Sequence, residues 1–324
     1  MIDYFAFGNV VIDDIVRWDG RTALDTLGGA SVHALAGMRV WAGPPAPPRS
    51  ADSAGAPGPP RLGCVAVVGP DFPARHRATL AALGADLRGL TVKAGTPTPR
   101  AWQRIEADGR RAITFRTSVD AFIRDSPPFE AIPPDYLQAR GAHLYWSPAP
   151  AEAPRLVERL RQANPGLRLV WEPSWLWADS PPGAVAAVMP LVDLVTPDDA
   201  MAARMTGQTT AAAALATFRA WGAPVTAIRM GAAGSLLGDA AGRVWQIPAV
   251  PVATIDVTGA GNAYGGGFLV GLGRGAPPVE AALMATVSAS FALEQFGPPR
   301  PDERTAATAA ARLAWARRRV ARQR

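Results

Sequence analysis

The sequence predicts an α/β fold built on a mostly parallel sheet, and three observations carry that prediction. From residue 140 onward, short apolar runs alternate with helical patterns, as in strand–helix–strand units joined by right-handed crossovers. Hydrophobic residues make up 48% and charged residues 19% of the 324, enough for a sizeable core. The run "IDVTGAGNAYGGGF", from residue 255, leads a short β-branched strand through a Gly-rich turn into a helix. Sheets of this kind hold ligands at such strand ends.

The elements follow in order. "YFAFGNVVIDDIV" reads as a buried strand that breaks at Gly8-Asn9 and resumes, and "GGASVHALAGMRVWAG" carries small residues at helical spacing. Residues 43–61 hold too much Pro and Gly for a packed core and read as a flexible surface insertion. "LGCVAVVGPDF" is a strand and its turn. Between residues 100 and 117, polar and apolar positions partly alternate about Asp108-Gly109, which predicts an antiparallel hairpin outside the parallel core. "GAHLYWSP", "LRLVWEPSW", "VDLVTPDD", "PVTAIRMG" and "VWQIPA" then supply strands; "APRLVERLRQA", "AMAARMTG" and "AAAALATFRAWG" supply helices. The closing "ERTAATAAARLAWARRRVARQR" predicts a basic surface helix whose cations complement its C-terminal dipole.

Several function classes are set aside. The net charge of +6 is concentrated at the chain's end, so nucleic acid is not an expected partner, and a phosphate ligand needs only local positive potential. Cys64 is the single cysteine, and His33, His76 and His143 lack ligand spacing, which argues against a structural zinc. Neither GxxxxGK[ST] nor G-x-S-x-G occurs. The start carries Asp3, Asp13 and Asp14 without a basic region, and no apolar run reaches the roughly 18 residues of a membrane span. A cytoplasmic protein with no membrane partner is expected.

Gly259 and Gly261 let the backbone turn so that successive N–H groups point one way, and the following helix adds its positive end. That arrangement suits an anion, above all a transferring phosphate. The same residues also read as a tight strand-to-helix turn with Asn262 near the cap, and the sequence leaves both readings open. A dinucleotide fingerprint fits poorly, because Tyr264 stands where Gly or Ala is required.

At this point the sequence resembles the PfkB carbohydrate kinases, the ribokinase-like family. The family signature D-T-x-G-A-G-D-x-F stands here as Asp256-Val257-Thr258-Gly259-Ala260-Gly261-Asn262-Ala263-Tyr264. The pair Gly28-Gly29, "VVGPDF", "VDLVTPDDAMAARMTG", "IRMGAAGSLL" and "SASFALEQFGPPRP" are similar to further family segments, in the family's order. The resemblance implies a single ribokinase-like domain over residues 1–324. It would be a three-layer α/β sandwich with a mostly parallel central sheet and a small β lid from roughly 10–25 and 98–120. It implies ATP-dependent phosphoryl transfer, with Mg2+, to a hydroxyl of a small-molecule substrate: a sugar, a sugar-like compound or a nucleoside. Lids in the family often pair two subunits, which makes a homodimer through the lid one option.

Residue by residue, the resemblance gives Asp13 the substrate hydroxyls and brings Gly28 and Gly29 against the substrate. Gly259, Ala260 and Gly261 would form an anion hole. Gly231 and Gly234 would lie along the nucleotide, with Thr258 close by and Thr286 at the adenine. Asp256 and Thr258 match a monovalent-cation site that would take K+.

Three departures cluster on the chemistry. His33 replaces the asparagine that usually touches substrate, and a core histidine is an equal reading. Met201 replaces the glutamate that orders Mg2+-bound water; Asp198 and Asp199 remain for that task, or simply start a helix. Asn262 replaces the catalytic base. A carboxylate accepts the proton of the attacking hydroxyl and an amide does not, a difference typically worth about 10²- to 10⁴-fold. Much of phosphoryl transfer is positioning and electrostatics, so a slow kinase is expected, with Asp13, Asp14, His33 or water supplying the base and Asn262→Asp speeding the reaction. Two rival readings stand beside it. One is a non-catalytic nucleotide- or metabolite-binding pseudokinase; the other is altered chemistry on an already phosphorylated ligand.

Overall fold

The computed structural model describes residues 2–42, 60–146, 153–300 and 302–323. The proposed insertion at 43–61 therefore lies outside the described residues except for positions 60 and 61. The chain runs β1 (Tyr4–Phe7), β2 (Val11–Arg17), β3 (Thr22–Gly28), α1 (Ala30–Ala42), β4 (Leu62–Val68), α2 (Ala74–Ala82), β5 (Ala85–Val92), β6 (Arg100–Ile105), β7 (Arg111–Phe115) and α3 (Val119–Arg124). It continues β8 (Gly141–Leu144), α4 (Ala153–Ala163), β9 (Arg168–Trp171), α5 (Pro182–Val188), β10 (Leu194–Val195), α6 (Asp199–Thr206), α7 (Ala211–Ala220) and β11 (Val225–Arg229). It ends β12 (Ser235–Asp239), β13 (Val244–Ile247), α8 (Ala260–Gly273), α9 (Pro278–Leu293), α10 (Thr305–Arg317) and β14 (Ala321–Gln323).

Ten strands form one sheet in the order β14-β13-β12-β11-β10-β9-β8-β1-β4-β5, and four form a second in the order β3-β2-β6-β7. Alternation along the central strands explains the layers. In β1, Tyr4 and Ala6 join one hydrophobic cluster with Leu35 of α1 and Phe268 of α8, whereas Phe5 and Phe7 join another with Val157 of α4 and Phe218 of α7. Successive side chains of a strand point to opposite faces, so each central strand feeds two cores and helices cover both sides. The axes of α1 and α8 come close because Gly37 and Gly266 leave no side chain between them: a Cβ on either would overlap the other helix's backbone.

Four sequence expectations are corrected. The β-branched run ahead of the Gly-rich turn is not a strand: after β13 the chain reaches α8 through irregular backbone and a turn at Thr258-Gly259. "YFAFGNVVIDDIV" is not one resumed strand: β1 belongs to the large sheet and β2 to the small one. "VWQIPA" does not join the parallel set, since β11, β12 and β13 pair antiparallel. The link from β11 to β12 is a short turn with Gly231 and Gly234 at positive φ, far too short for the crossover that parallel pairing requires. The closing helix stops at Arg317, and residues 321–323 add an edge strand on β13. Partly buried Val320 packs against the core there, which turns the basic tail back on the sheet.

Candidate active site

The site forms where the C-terminal ends of the central strands meet the start of α8, with the small sheet facing them. The hairpin at Asp108-Gly109 joins β6 to β7, with Gly109 at φ 82°. Register then decides which side chains point inward. Asp13 lies opposite Ala101, and the buried positions Ala101, Gln103 and Ile105 alternate with exposed Trp102 and Arg104. Asp13 is therefore on the inner face and Asp14 on the outer one. Asp14 accepts hydrogen bonds from Arg116 and from the Asp25 amide, so its carboxylate is occupied away from the cavity. That removes it as a source of the missing base.

Asp13 is 2% exposed. Its Oδ1 accepts a hydrogen bond from Gln103 Nε2 at 2.8 Å, and its Oδ2 fills the space a Cβ of Gly28 would take. Burial raises its pKa to about 6. The small cavity it lines measures about 80 Å3 and also meets Gly29, His33, Gln103, Arg111, Thr258 and Asn262, so Thr258, expected along the nucleotide, lies on this side of the turn and not on the large cleft. Phe115, Phe122, Tyr145 and Trp175 supply aromatic walls. His33 is fully buried with neither ring nitrogen hydrogen-bonded among the described residues. Burial, with Arg111, lowers its pKa to about 4, so a neutral imidazole faces the cavity. It is buried as a core histidine would be, yet its polar atoms are unspent.

A cleft of about 820 Å3 lies on the other side of the turn at 257–262. Asp198, Asp199, Gly231, Gly234, Ala260, Gly261 and Thr286 all line it, as do Arg229 and, from the small sheet, Arg17 and Asp108. Thr286 donates to the Pro248 carbonyl at 2.8 Å. Gly234 packs against the backbone of β13, where a Cβ would overlap Ile247, while Gly231 opens on free space. Asp198 caps α6 by accepting from the Met201 amide at 2.7 Å, and Asp199 accepts from the Ala200 amide. Both aspartates are helix starters that also face the cleft.

The turn itself has glycine for two physical reasons. Gly259 sits at φ 77° and caps α8, and a Cβ there would overlap the His33 ring. A Cβ on Gly261 would overlap the Arg229 guanidinium. The amides of Gly259, Gly261 and Asn262 have no acceptor among the described residues, whereas the Ala260 amide reaches the Val257 carbonyl at 3.3 Å. Unpaired N–H groups at the start of a 14-residue helix attract an anion. Beside them Asp256 is buried, with Oδ1 on the Thr258 amide and Oδ2 unpartnered, and burial raises its pKa.

Glu172, Arg229, Arg111, Gln103 and His143 are the residues that sequence reasoning missed. Glu172 follows β9 and is 4% exposed. Its Oε2 accepts from Asn262 Nδ2 at 2.8 Å and lies 3.1 Å from His143 Nε2; its Oε1 lies 3.0 Å from Arg229. Burial works to raise its pKa, but Arg229, His143 and Asn262 outweigh it and hold the carboxylate below its ordinary value. The signal was an acidic residue inside the apolar run "LRLVWEPSW", the kind of buried charge that needs a partner. The expectation for Asn262→Asp changes with it, because an aspartate there would share a hydrogen-bond distance with a second carboxylate.

The family model described as "pfkB family carbohydrate kinase" matches residues 61–305, and the chain belongs to that family. It is 27% identical over 303 residues to the cytidine kinase of Thermococcus kodakarensis, spanning 92% of this chain and 98% of that one. A nucleoside kinase of Burkholderia thailandensis, solved with inosine, superposes with a TM-score of 0.72 at 18% identity, covering 97% of this chain and 96% of the other. An E. coli protein of the ribokinase type, solved with ATP and Mg2+, gives a TM-score of 0.72 at 18% identity over 96% of this chain and all of that one. The fold is ribokinase-like: a large, mostly parallel sheet between helices, with a smaller sheet beside it. No helix among the described residues is long and apolar enough to cross a membrane.

Proposed function

We propose that this protein transfers the γ-phosphoryl group of ATP to a hydroxyl of a nucleoside or sugar, with the small sheet as a lid. The observation that carries this reading is the turn at 257–262. It presents unpaired amides with a nucleotide-sized cleft on one side and a carboxylate-lined cavity on the other. The four aromatic walls of that cavity suit a flat base, so nucleosides are the first substrates to test.

Asp13 is the one carboxylate among the described residues lining the small cavity. It holds the substrate hydroxyl and, with a pKa of about 6, is ionised at neutral pH and takes the proton. The hydroxyl oxygen bonds to the γ-phosphorus, the bond to the β–γ bridging oxygen breaks, and that electron pair leaves with ADP. The free amides of the turn stabilise charge on the transferring group. Asp198 and Asp199 each keep one carboxylate oxygen free of the amides they cap and would hold Mg2+ through water, where it would neutralise phosphate charge. Asp256 Oδ2, buried and unpartnered, fits a monovalent cation such as K+.

The test is a coupled assay with ATP and Mg2+ across nucleosides and sugars, with the product identified by mass spectrometry. A phosphorylated nucleoside is expected. Stabilisation by ATP with no product from any acceptor would overturn the kinase reading in favour of nucleotide binding alone. Exposed Leu24 and Trp102 on the small sheet support a homodimer through the lid, which sedimentation would test.

A further inference from the structure

We infer that Glu172 is a positioning residue for phosphoryl transfer, an anion one side chain behind the reacting groups that sets the direction of the Asn262 amide and the place of Arg229. The inference rests on the kinase reading for its catalytic part, and on geometry alone for the rest.

Three neighbourhoods converge on this one carboxylate. His143 comes from β8, Arg229 from the end of β11 and Asn262 from the first turn of α8. None of these pairings is local in sequence: 29, 57 and 90 residues separate Glu172 from its partners. Because the carboxylate only accepts, Asn262 must turn its NH2 group toward Glu172. Turning the amide the other way would set its carbonyl oxygen against an anion. The Asn262 carbonyl is thereby committed to the small cavity, where it accepts from a hydroxyl and holds it in line.

Arg229 is fixed by the same anion. Its guanidinium lies over Gly261, lines the large cleft, and has its Nε unpartnered. It therefore brings a positive charge to the amides of the turn at the wall of the large cleft, which suits the transferring phosphate. Glu172 neither lines the small cavity nor the large one, so it acts through these two residues.

The arrangement amounts to a carboxylate and an amide in exchanged places. A site with carboxylate at 262 would need a neutral donor at 172; this chain has the reverse, with the same single negative charge beside Arg229. Asn262→Asp adds a second anion, Glu172→Gln removes the one carboxylate that pairs with Arg229 among the described residues, and the double variant restores both the charge count and the hydrogen bond, with the donor now at 172.

The experiment compares the parent, Glu172→Gln, Asn262→Asp and the double variant at pH 8 in two readouts. In thermal unfolding, Asn262→Asp should lower the midpoint by several degrees and added Glu172→Gln should recover most of it. In steady-state turnover, each single variant should lose at least tenfold in kcat with KM for ATP changed less than threefold. The double variant should return to within about threefold of the parent or exceed it. The inference is overturned if Asn262→Asp alone matches the parent in stability, if the losses of the two single variants multiply in the double, or if the double fails to fold while either single folds. If the parent turns over no substrate, the kinase reading falls by itself, and the unfolding comparison still decides whether Glu172 and Asn262 act as a pair.

Discussion

Asp13 and Asp14 are adjacent in the chain and have opposite fates, because a strand sends neighbours to opposite faces. Asp13 is buried with its pKa raised from 3.8 to about 6. Between these values the folded protein keeps a proton that the unfolded chain has released, so stability falls as pH rises through that window, and the whole penalty is present above about pH 6. Two units correspond to about 3 kcal/mol. Asp13→Asn should therefore unfold at a higher temperature than the parent at pH 7.5, with the gain gone by pH 4, while turnover drops by about 10²- to 10⁴-fold. Thermal scans at both pH values and an initial-rate assay check both halves. Gly259 makes the same kind of point: at φ 77° and against the His33 ring, Gly259→Ala should cost more than about 1 kcal/mol and lower the unfolding midpoint.

At the scale of elements, the small sheet is tied to the turn before α8. Arg17 of β2 donates to the carbonyls of Thr254 and Ile255, at 3.1 Å for the first, just ahead of Asp256. These are contacts near the rim of the large cleft, so Arg17→Ala should leave the fold within about 1 kcal/mol of the parent while raising KM for ATP several-fold. Equal KM values would show that this tie does nothing for the nucleotide. The hairpin at Asp108-Gly109 was legible because Asp-Gly supplies the positive φ that a tight turn requires. The antiparallel run β11-β12-β13 was not, because apolar strands look alike in sequence and only the length of the link distinguishes a hairpin from a crossover.

Across the whole molecule, one buried cation joins a helical layer to the sheet edge. Arg39 of α1 is 1% exposed and donates to the carbonyls of Leu83, Pro60 and Gly84, the first at 2.8 Å. Burial lowers its pKa to about 10, so it remains charged at neutral pH. Arg39→Met should strand carbonyls that have lost their donor, at about 1–3 kcal/mol, and lower the midpoint without changing turnover per folded molecule. Nucleotide should act in the opposite sense: ATP at a hundredfold excess over its Kd should stabilise the fold by about 2.7 kcal/mol, read as a raised midpoint. A midpoint indifferent to ATP would remove the nucleotide from the large cleft.

The sequence by itself determined the mostly parallel fold, the hairpin of the small sheet and the glycine turn, since each is written in local pattern: apolar runs alternating with helical ones, Asp-Gly, and glycines opening a helix. It also showed that position 262 lacks a carboxylate. Only the tertiary structure decided where that charge went. Glu172 is 90 residues from Asn262, and its partners lie on two other strands, so no spacing along the chain announces them. A buried ion network is a property of packing: burial makes each charge depend on its neighbours, and those neighbours exist only once the strands have been laid side by side.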